Sequence, residues 1–277
     1  MKTTRFLCLV ALLAMISISL VSAAGPNPFT FTVFSDNHGT PPVFKEILTE
    51  MDAIQPAFAI SCGDFQDGKL KVEDLKVLYQ EYKDTVKALF KRKVYLTMGN
   101  HEIGDLPEHE KFFSDELGKL YYSFDYENCH FIILDSEIVG QTSRITGDQL
   151  VWLKDDLRKS KSAGHIFVFF HKPMYPVDGQ LGKSIDKYPA ERDALHQLFK
   201  DNHVTAVFTG HEHTFNQHVR DGVRYLIIGG AGGQLFPNIF GTGNFYHYIV
   251  VHVDGDKVDM KAIKPAFNGK PMEEIRF

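Results

Sequence analysis

Five short segments of the 277-residue sequence concentrate side chains that bind metal ions and move protons. They are Ser35-Asp36-Asn37-His38, Gly63-Asp64-Phe65-Gln66-Asp67, Gly99-Asn100-His101-Glu102, a single His171 before Lys172-Pro173, and Gly210-His211-Glu212-His213. Carboxylate oxygen and imidazole nitrogen suit Mn, Fe and Zn, and suit Ca less well. Asp36 and His38 stand two positions apart, as do His211 and His213, so each pair can point the same way in extended chain. Asp64 has two oxygens and can bridge two ions, and Asn100 offers a neutral carbonyl oxygen. If Asp36 and Asp64 are the only ionised ligands of two divalent ions, two positive charges are left over, which suits a phosphate ester. Ions roughly 3.5–4 Å apart can activate a water and clamp the oxygens of an in-line phosphoryl displacement.

These segments need elements that bring them together, and the local pattern supplies them. Phe29 to Phe34 is a β-branched and aromatic run, Ala57 to Ser61 a compact apolar one, and Val94 to Met98 a third; all three read as strands. Each ends directly before one of the segments. Ile166 to Phe170 leads in the same way to His171, and Val204 to Phe208 to His211. Open α/β sheets gather ligands at the carboxyl ends of their strands. Between the strands, apolar residues recur at helical spacing over Pro42–Ile54 and Val72–Phe90, and helices are also expected over Gly147–Lys159 and Ala190–Lys200. Tyr121–Phe124 and His130–Leu134 read as a paired strand unit. The end of the chain, with Val219, Tyr225–Ile228, Tyr248–Val253 and Val258–Ile263, is rich in strands. The result is a layered α/β domain with mixed sheets.

Asp-x-His, Gly-Asp-x-x-Asp, Gly-Asn-His-Glu, a lone His and Gly-His-x-His, in this order from Asp36 to His213, resemble the calcineurin-like metallophosphoesterases. The resemblance implies a four-layer αββα sandwich of two mixed β-sheets flanked by helices. It implies one metal on Asp36, His38, Asp64 and His213, and a second on Asp64, Asn100, His171 and His211. His101 would be the general acid that protonates the leaving oxygen, or else a hydrogen-bond donor to the transition state, with Asp67 orienting it. The nucleophile would be a metal-bound hydroxide. Two departures narrow the resemblance. Purple acid phosphatases carry Tyr three places after the bridging Asp, where this chain has Asp67, so no purple charge-transfer band is expected. Protein Ser/Thr phosphatases follow their second Asp with Arg-Gly, here Gly68-Lys69, which disfavours a phosphoprotein substrate.

Composition sets the setting. The chain is 44% hydrophobic and 23% charged, with a formal net charge of −5, so no basic field points to nucleic acid. The basic triplet Lys91-Arg92-Lys93 reads as a solvated helix end. Lys2 and Arg5, an apolar run from Phe6 to Val21, and small residues around Ala23 have the layout of a cleavable export signal over residues 1–23. Cleavage would leave a single domain over 24–277 with no membrane span, released to the periplasm or the extracellular space. Of the three cysteines, Cys8 would leave with the signal; Cys62 and Cys129 could form a disulfide or remain buried thiols. The glycine run Gly229-Gly230-Ala231-Gly232-Gly233 lacks the Lys-Ser/Thr of a P-loop and reads as a tight turn near the metals. The loops after His101, after His171 and over residues 235–246 are expected to shape the substrate pocket, with Tyr175, Tyr188, Phe236 and Phe240 as candidate linings. The expected partner is a small-molecule phosphate ester. The alternative is an exported metal-containing binding protein without turnover; the sequence sets no oligomeric state.

Overall fold

The computed structural model describes residues 26–68, 71–177, 181–236 and 243–277. The expected export signal, Lys69 and Phe240 lie outside the described residues. The chain runs β1 (Phe29–Phe34), α1 (Pro42–Ile54), β2 (Phe58–Ser61), α2 (Val72–Leu89), β3 (Lys93–Leu96), α3 (Pro107–Leu117), β4 (Tyr122–Tyr126), β5 (Cys129–Ile133), α4 (Gly147–Lys159) and β6 (His165–Phe169). It continues with α5 (Pro189–Asp201), β7 (Ala206–Thr209), β8 (Phe215–Arg220), β9 (Val223–Ile228), β10 (Tyr248–Asp254), β11 (Lys257–Lys264) and β12 (Glu273–Arg276).

The strands form two six-stranded mixed sheets. The first has the order β12-β11-β10-β1-β2-β3, the second β4-β5-β6-β7-β9-β8. β1, β2 and β3 run parallel, as do β5, β6, β7 and β9, so their carboxyl ends lie on one side. Apart from the edge strand β3, the parallel strands are buried on both faces, which is why they read as continuous apolar runs. In β6, Phe167 and Phe169 point into the core between the sheets, while Ile166 and Val168 pack under α4 and α5. In β1, Phe31 and Val33 face the inter-sheet core and Phe34 faces the helices on the other side. α1 starts with Pro42 in its first turn, where a missing N–H costs nothing. Its Phe44, Ile47, Leu48 and Met51 form one buried stripe against the first sheet, with Tyr82 of α2 and Phe112 of α3 beside it. Leu153 and Leu157 of α4 and Leu195 and Phe199 of α5 cover the second sheet. Helices, sheet, sheet, helices is the four-layer arrangement the resemblance implies.

α3 and β12 were not expected from the sequence. α3 buries only His109, Phe112 and Phe113 of its eleven residues, too narrow a stripe to stand out. β12 is a short edge strand of charged residues that pairs with β11 alone. Cys62 and Cys129 are both buried free thiols. No described helix is long and apolar enough to cross a membrane.

Candidate metal centre

The loops leaving β1, β2, β3, β6 and β7 bring Asp36, His38, Asp64, Asn100, His101, His171, His211 and His213 together beyond the carboxyl ends of the parallel strands. Three overlapping groups have ligand atoms all within 4.8 Å of one another: Asp36, His38 and His213; His38, Asp64 and His101; Asp64, His171 and His211. Asn100 joins the third group, its Oδ1 lying 3.1 Å from His171 Nε2. Asp64 Oδ2 sits between them, 3.1 Å from His171 Nε2, 3.8 Å from His101 Nε2 and 3.9 Å from His38 Nε2. Asp36 Oδ1 lies 3.4 Å from His213 Nε2.

Sharp turns aim these groups. Asp36, His38, Asp64 and His211 all have positive φ, from 46° to 69°, a region that Asp and His enter more readily than other non-glycine residues. The rings are held from behind, so that each presents Nε2 to the site. His38 Nδ1 meets Asp67 Oδ1 at 2.9 Å, His171 Nδ1 meets the Cys62 carbonyl at 2.9 Å, and His213 Nδ1 meets the Gln234 carbonyl at 2.6 Å. Such outer partners fix the tautomer and orientation of a ligating imidazole. The Gly99 backbone passes so close that a Cβ there would lie 2.2 Å from Asp64 Oδ1.

The residues fit a metal. His211 Nε2 is buried and has no hydrogen-bond partner. The Nε2 atoms of His38 and His213 face each other at 3.1 Å, an arrangement that a cation between lone pairs would explain. The field points the same way. Burial would raise Asp64, but the charge and hydrogen bond of His171, then the charges of His101 and His38, hold it far below the usual carboxylate range. Burial would lower His171, but Asp64 above all, with Asp36 and Glu137, pushes it up to about 10. Burial and the charge of His171 depress His211 to about 3, leaving it a free base.

One contact differs from expectation. Asp67 does not reach His101: it pairs with His38, and the Gly68 N–H donates to His101 Nδ1 at 3.0 Å instead. Gly68 packs tightly against the His101 backbone, where a Cβ would lie 2.6 Å from the His101 carbonyl oxygen. Glu102 and Glu212, which stand inside two of the motifs, are completely buried. Glu102 accepts from the N–H groups of Asp64 and Gly99 at 2.8 Å each and of Gln66 at 3.2 Å, locking two ligand loops together. Glu212 accepts from the Val177 N–H. Only their position inside the motifs hinted at this. The glycine run does lie at the site, but none of its glycines has positive φ. What it needs is space, since a Cβ on Gly233 would come within 2.8 Å of both His38 and His213. Among the candidate pocket residues, Phe236 stacks on His213 with centroids 4.9 Å apart. Tyr175 packs instead against His196, His218 and Tyr225, and the Tyr188 ring lies against Arg144 and Lys187.

Residues 29–215 match the family model for calcineurin-like phosphoesterases. The chain belongs to that family. It is therefore a metallophosphoesterase, a hydrolase of ester bonds. It is 26% identical over 215 residues to serine/threonine-protein phosphatase CPPED1 of Danio rerio, covering 72% of this chain and 68% of that one. It is 32% identical over 138 residues to purple acid phosphatase 21 of Arabidopsis thaliana, 44% of this chain but only 30% of the plant protein's length. Its fold matches that of a purple acid phosphatase from yellow lupin (Lupinus luteus) seeds with a TM-score of 0.73 at 13% identity, covering 91% of this chain and 54% of the other.

Proposed function

We propose that the chain hydrolyses a phosphate ester, a phosphodiester or a small phosphomonoester, at a dinuclear metal site. The observation that carries this reading is the sharing of Asp64: one buried carboxylate belongs to a cluster with His38 and to another with His171 and His211. Asp36, His38, Asp64 and His213 hold one ion, and Asp64, Asn100, His171 and His211 the other, with Mn, Fe or Zn suited to these donors. When bound, two such ions polarise the phosphoryl oxygens, activate water and offset developing negative charge.

The chain's own residues prepare that chemistry. With Nδ1 accepting from Gly68, His101 in its neutral form carries its proton on Nε2, the nitrogen that faces Asp64. Burial, the largest influence, lowers its pKa, opposed by the charges of Asp64 and Asp36 and reinforced by those of His38 and His171. A neutral ring in this tautomer is a hydrogen-bond donor to the transition state. To act as a full acid it would need a proton on Nδ1, against an N–H that already points at it. Of the two roles open to His101, the donor role fits better. Asp67 is a positioning residue for His38.

Residues 1–23 are read as a cleaved export signal and 24–277 as one domain, supported by β1 and β10 pairing across nearly the whole chain. The mass of the mature N-terminal peptide tests the cleavage. For the activity, metal-stripped protein is restored with Mn, Zn, Fe or Mg and assayed on bis-p-nitrophenyl phosphate and p-nitrophenyl phosphate, beside Asp64→Asn. Metal-dependent turnover that disappears in Asp64→Asn is expected. Two ions bound per chain with no turnover of either ester would instead favour the exported metal-containing binding protein.

A further inference from the structure

Away from the metal centre, the edges of the two sheets meet. β3 ends the first sheet and β4 ends the second. Tyr95 of β3 stacks on Phe124 of β4, with centroids 3.9 Å apart and planes within 9°. The C-terminal half of α2 and the end of α3 overhang this seam and leave a groove of about 1020 Å³. Specific small-molecule pockets span roughly 300–1000 Å³. Its floor is apolar and includes the buried Phe90 and Met98 and the half-buried Val86, Leu96 and Leu120.

The walls carry Lys83, Lys87, Lys91, Arg92, Lys93 and Lys119, and no carboxylate, in a chain whose formal net charge is −5. Some of these cations are engaged. Lys83 lies 3.5 Å from Glu116, and Arg92 lies 3.5 Å from Asp52. Lys91 Nζ donates to the last carbonyls of α2, and Lys93 sits over the Tyr95 ring at 4.1 Å. Lys87 and Lys119 have no acidic partner among the described residues. The triplet Lys91-Arg92-Lys93 is thus part of a wall and not only a solvated helix end.

We propose that this groove binds a single-chain anionic amphiphile, with its alkyl chain on the apolar floor and its headgroup on the ammonium groups of Lys87 and Lys119. The apolar floor calls for hydrocarbon, and the uncompensated cations call for a negative head. An added peptide strand fits less well. The free edge of β3 is only four residues long, and the Leu96 carbonyl on it already accepts from the Tyr122 hydroxyl at 3.3 Å.

The test uses residues 24–277 with metal bound. Dansylaminoundecanoate fluorescence is titrated, then displaced by n-alkanoates of 8 to 16 carbons and by the matching n-alkanols. The expected result is one site per chain, with affinity rising about fourfold per added methylene until the floor is filled. Alkanols should bind at least tenfold more weakly than alkanoates. K87E/K119E, two exposed positions, should weaken alkanoates at least tenfold and leave both the melting temperature and alkanol binding unchanged. Leu120→Trp should weaken both ligand series. Absence of saturable binding, equal affinity for alkanols, or alkanoate binding indifferent to K87E/K119E would overturn the proposal. So would displacement of the probe by an acidic peptide but not by alkanoates.

Discussion

Glu102→Gln isolates the junction between the Asp64 loop and the Asn100 loop. Glu102 Oε2 accepts from two backbone N–H groups and Oε1 from a third. A glutamine keeps the shape but has one oxygen. With that oxygen in the place of Oε2, its NH₂ faces the Gln66 N–H; flipped, it faces the other two. The better choice still leaves one buried donor unpaired, at about 1–3 kcal/mol. Burial, then the charge on Asp64, push Glu102 above the usual carboxylate range, and the Gly99 and Asp64 amides oppose this. The substitution removes one acceptor oxygen while keeping the shape, so it tests the hydrogen-bond count. If half of that cost falls on the metal-binding geometry, affinity drops roughly 2- to 12-fold. The remainder lowers the melting temperature of metal-free protein by a few degrees, at roughly 2–4 °C per kcal/mol. Calorimetric titration with Mn or Zn and thermal melts of both forms read the two parts. Wild-type metal affinity together with a wild-type melting temperature would refute the assignment of Glu102 as the junction.

Gly99→Ala puts a methyl group 2.2 Å from Asp64 Oδ1 and 2.5 Å from its backbone N, so the shared carboxylate must move. Fewer than two ions per chain by elemental analysis, and at least 100-fold lower turnover, are expected. Asp67→Ala removes the partner of His38 Nδ1 and should weaken metal binding about 10- to 100-fold. Its kcat at saturating metal should stay near wild type; a large fall there would instead show Asp67 acting through His101. His130, on β5, bonds Asp125 and Asp156, and these two outweigh burial to raise its pKa. The folded chain therefore holds this proton more tightly than the unfolded one. The added stability is complete below about pH 6.5 and is lost as pH climbs through the raised folded value. The stability gap between wild type and His130→Gln, from urea melts, should be widest near pH 5.5 and narrow on the alkaline side.

Most of the fold could be read from the sequence because its parallel strands, the edge strand β3 apart, are buried on both faces. A run such as Ile166-Phe167-Val168-Phe169 has no solvent side to blur it, and expected and observed strands differ by a residue or two at their ends. α3 escaped notice because most of its surface faces water, and β12 because an edge strand needs little apolar character. The site could be read for a related reason: five strands end in candidate ligating side chains, and parallel strands share an end. The orienting contacts were less visible. Whether Asp67 turns toward His38 or His101 depends on a glycine amide 3.0 Å from a ring nitrogen, which spacing along the chain does not specify.

Backbone pairing between neighbouring turns explains why this site tolerates so much local strain. Four of its candidate ligands occupy left-handed backbone, each at a cost of order 1–3 kcal/mol. The compensation is backbone to backbone and therefore independent of any ligand. Asp36 N–H donates to the Gly63 carbonyl, His38 N–H to the Asp64 carbonyl, and Gly233 N–H to the Asp36 carbonyl. Three turns from both sheets thus hold one another, and two of them contain the left-handed residues Asp36, His38 and Asp64. Loosening any one of them should disturb both candidate metal groups together, because Asp64 belongs to both. Single-site substitutions in these turns should accordingly lower the occupancy of both ions in parallel. An intermediate with one ion fully retained and the other lost would show that the two halves of the centre are held independently.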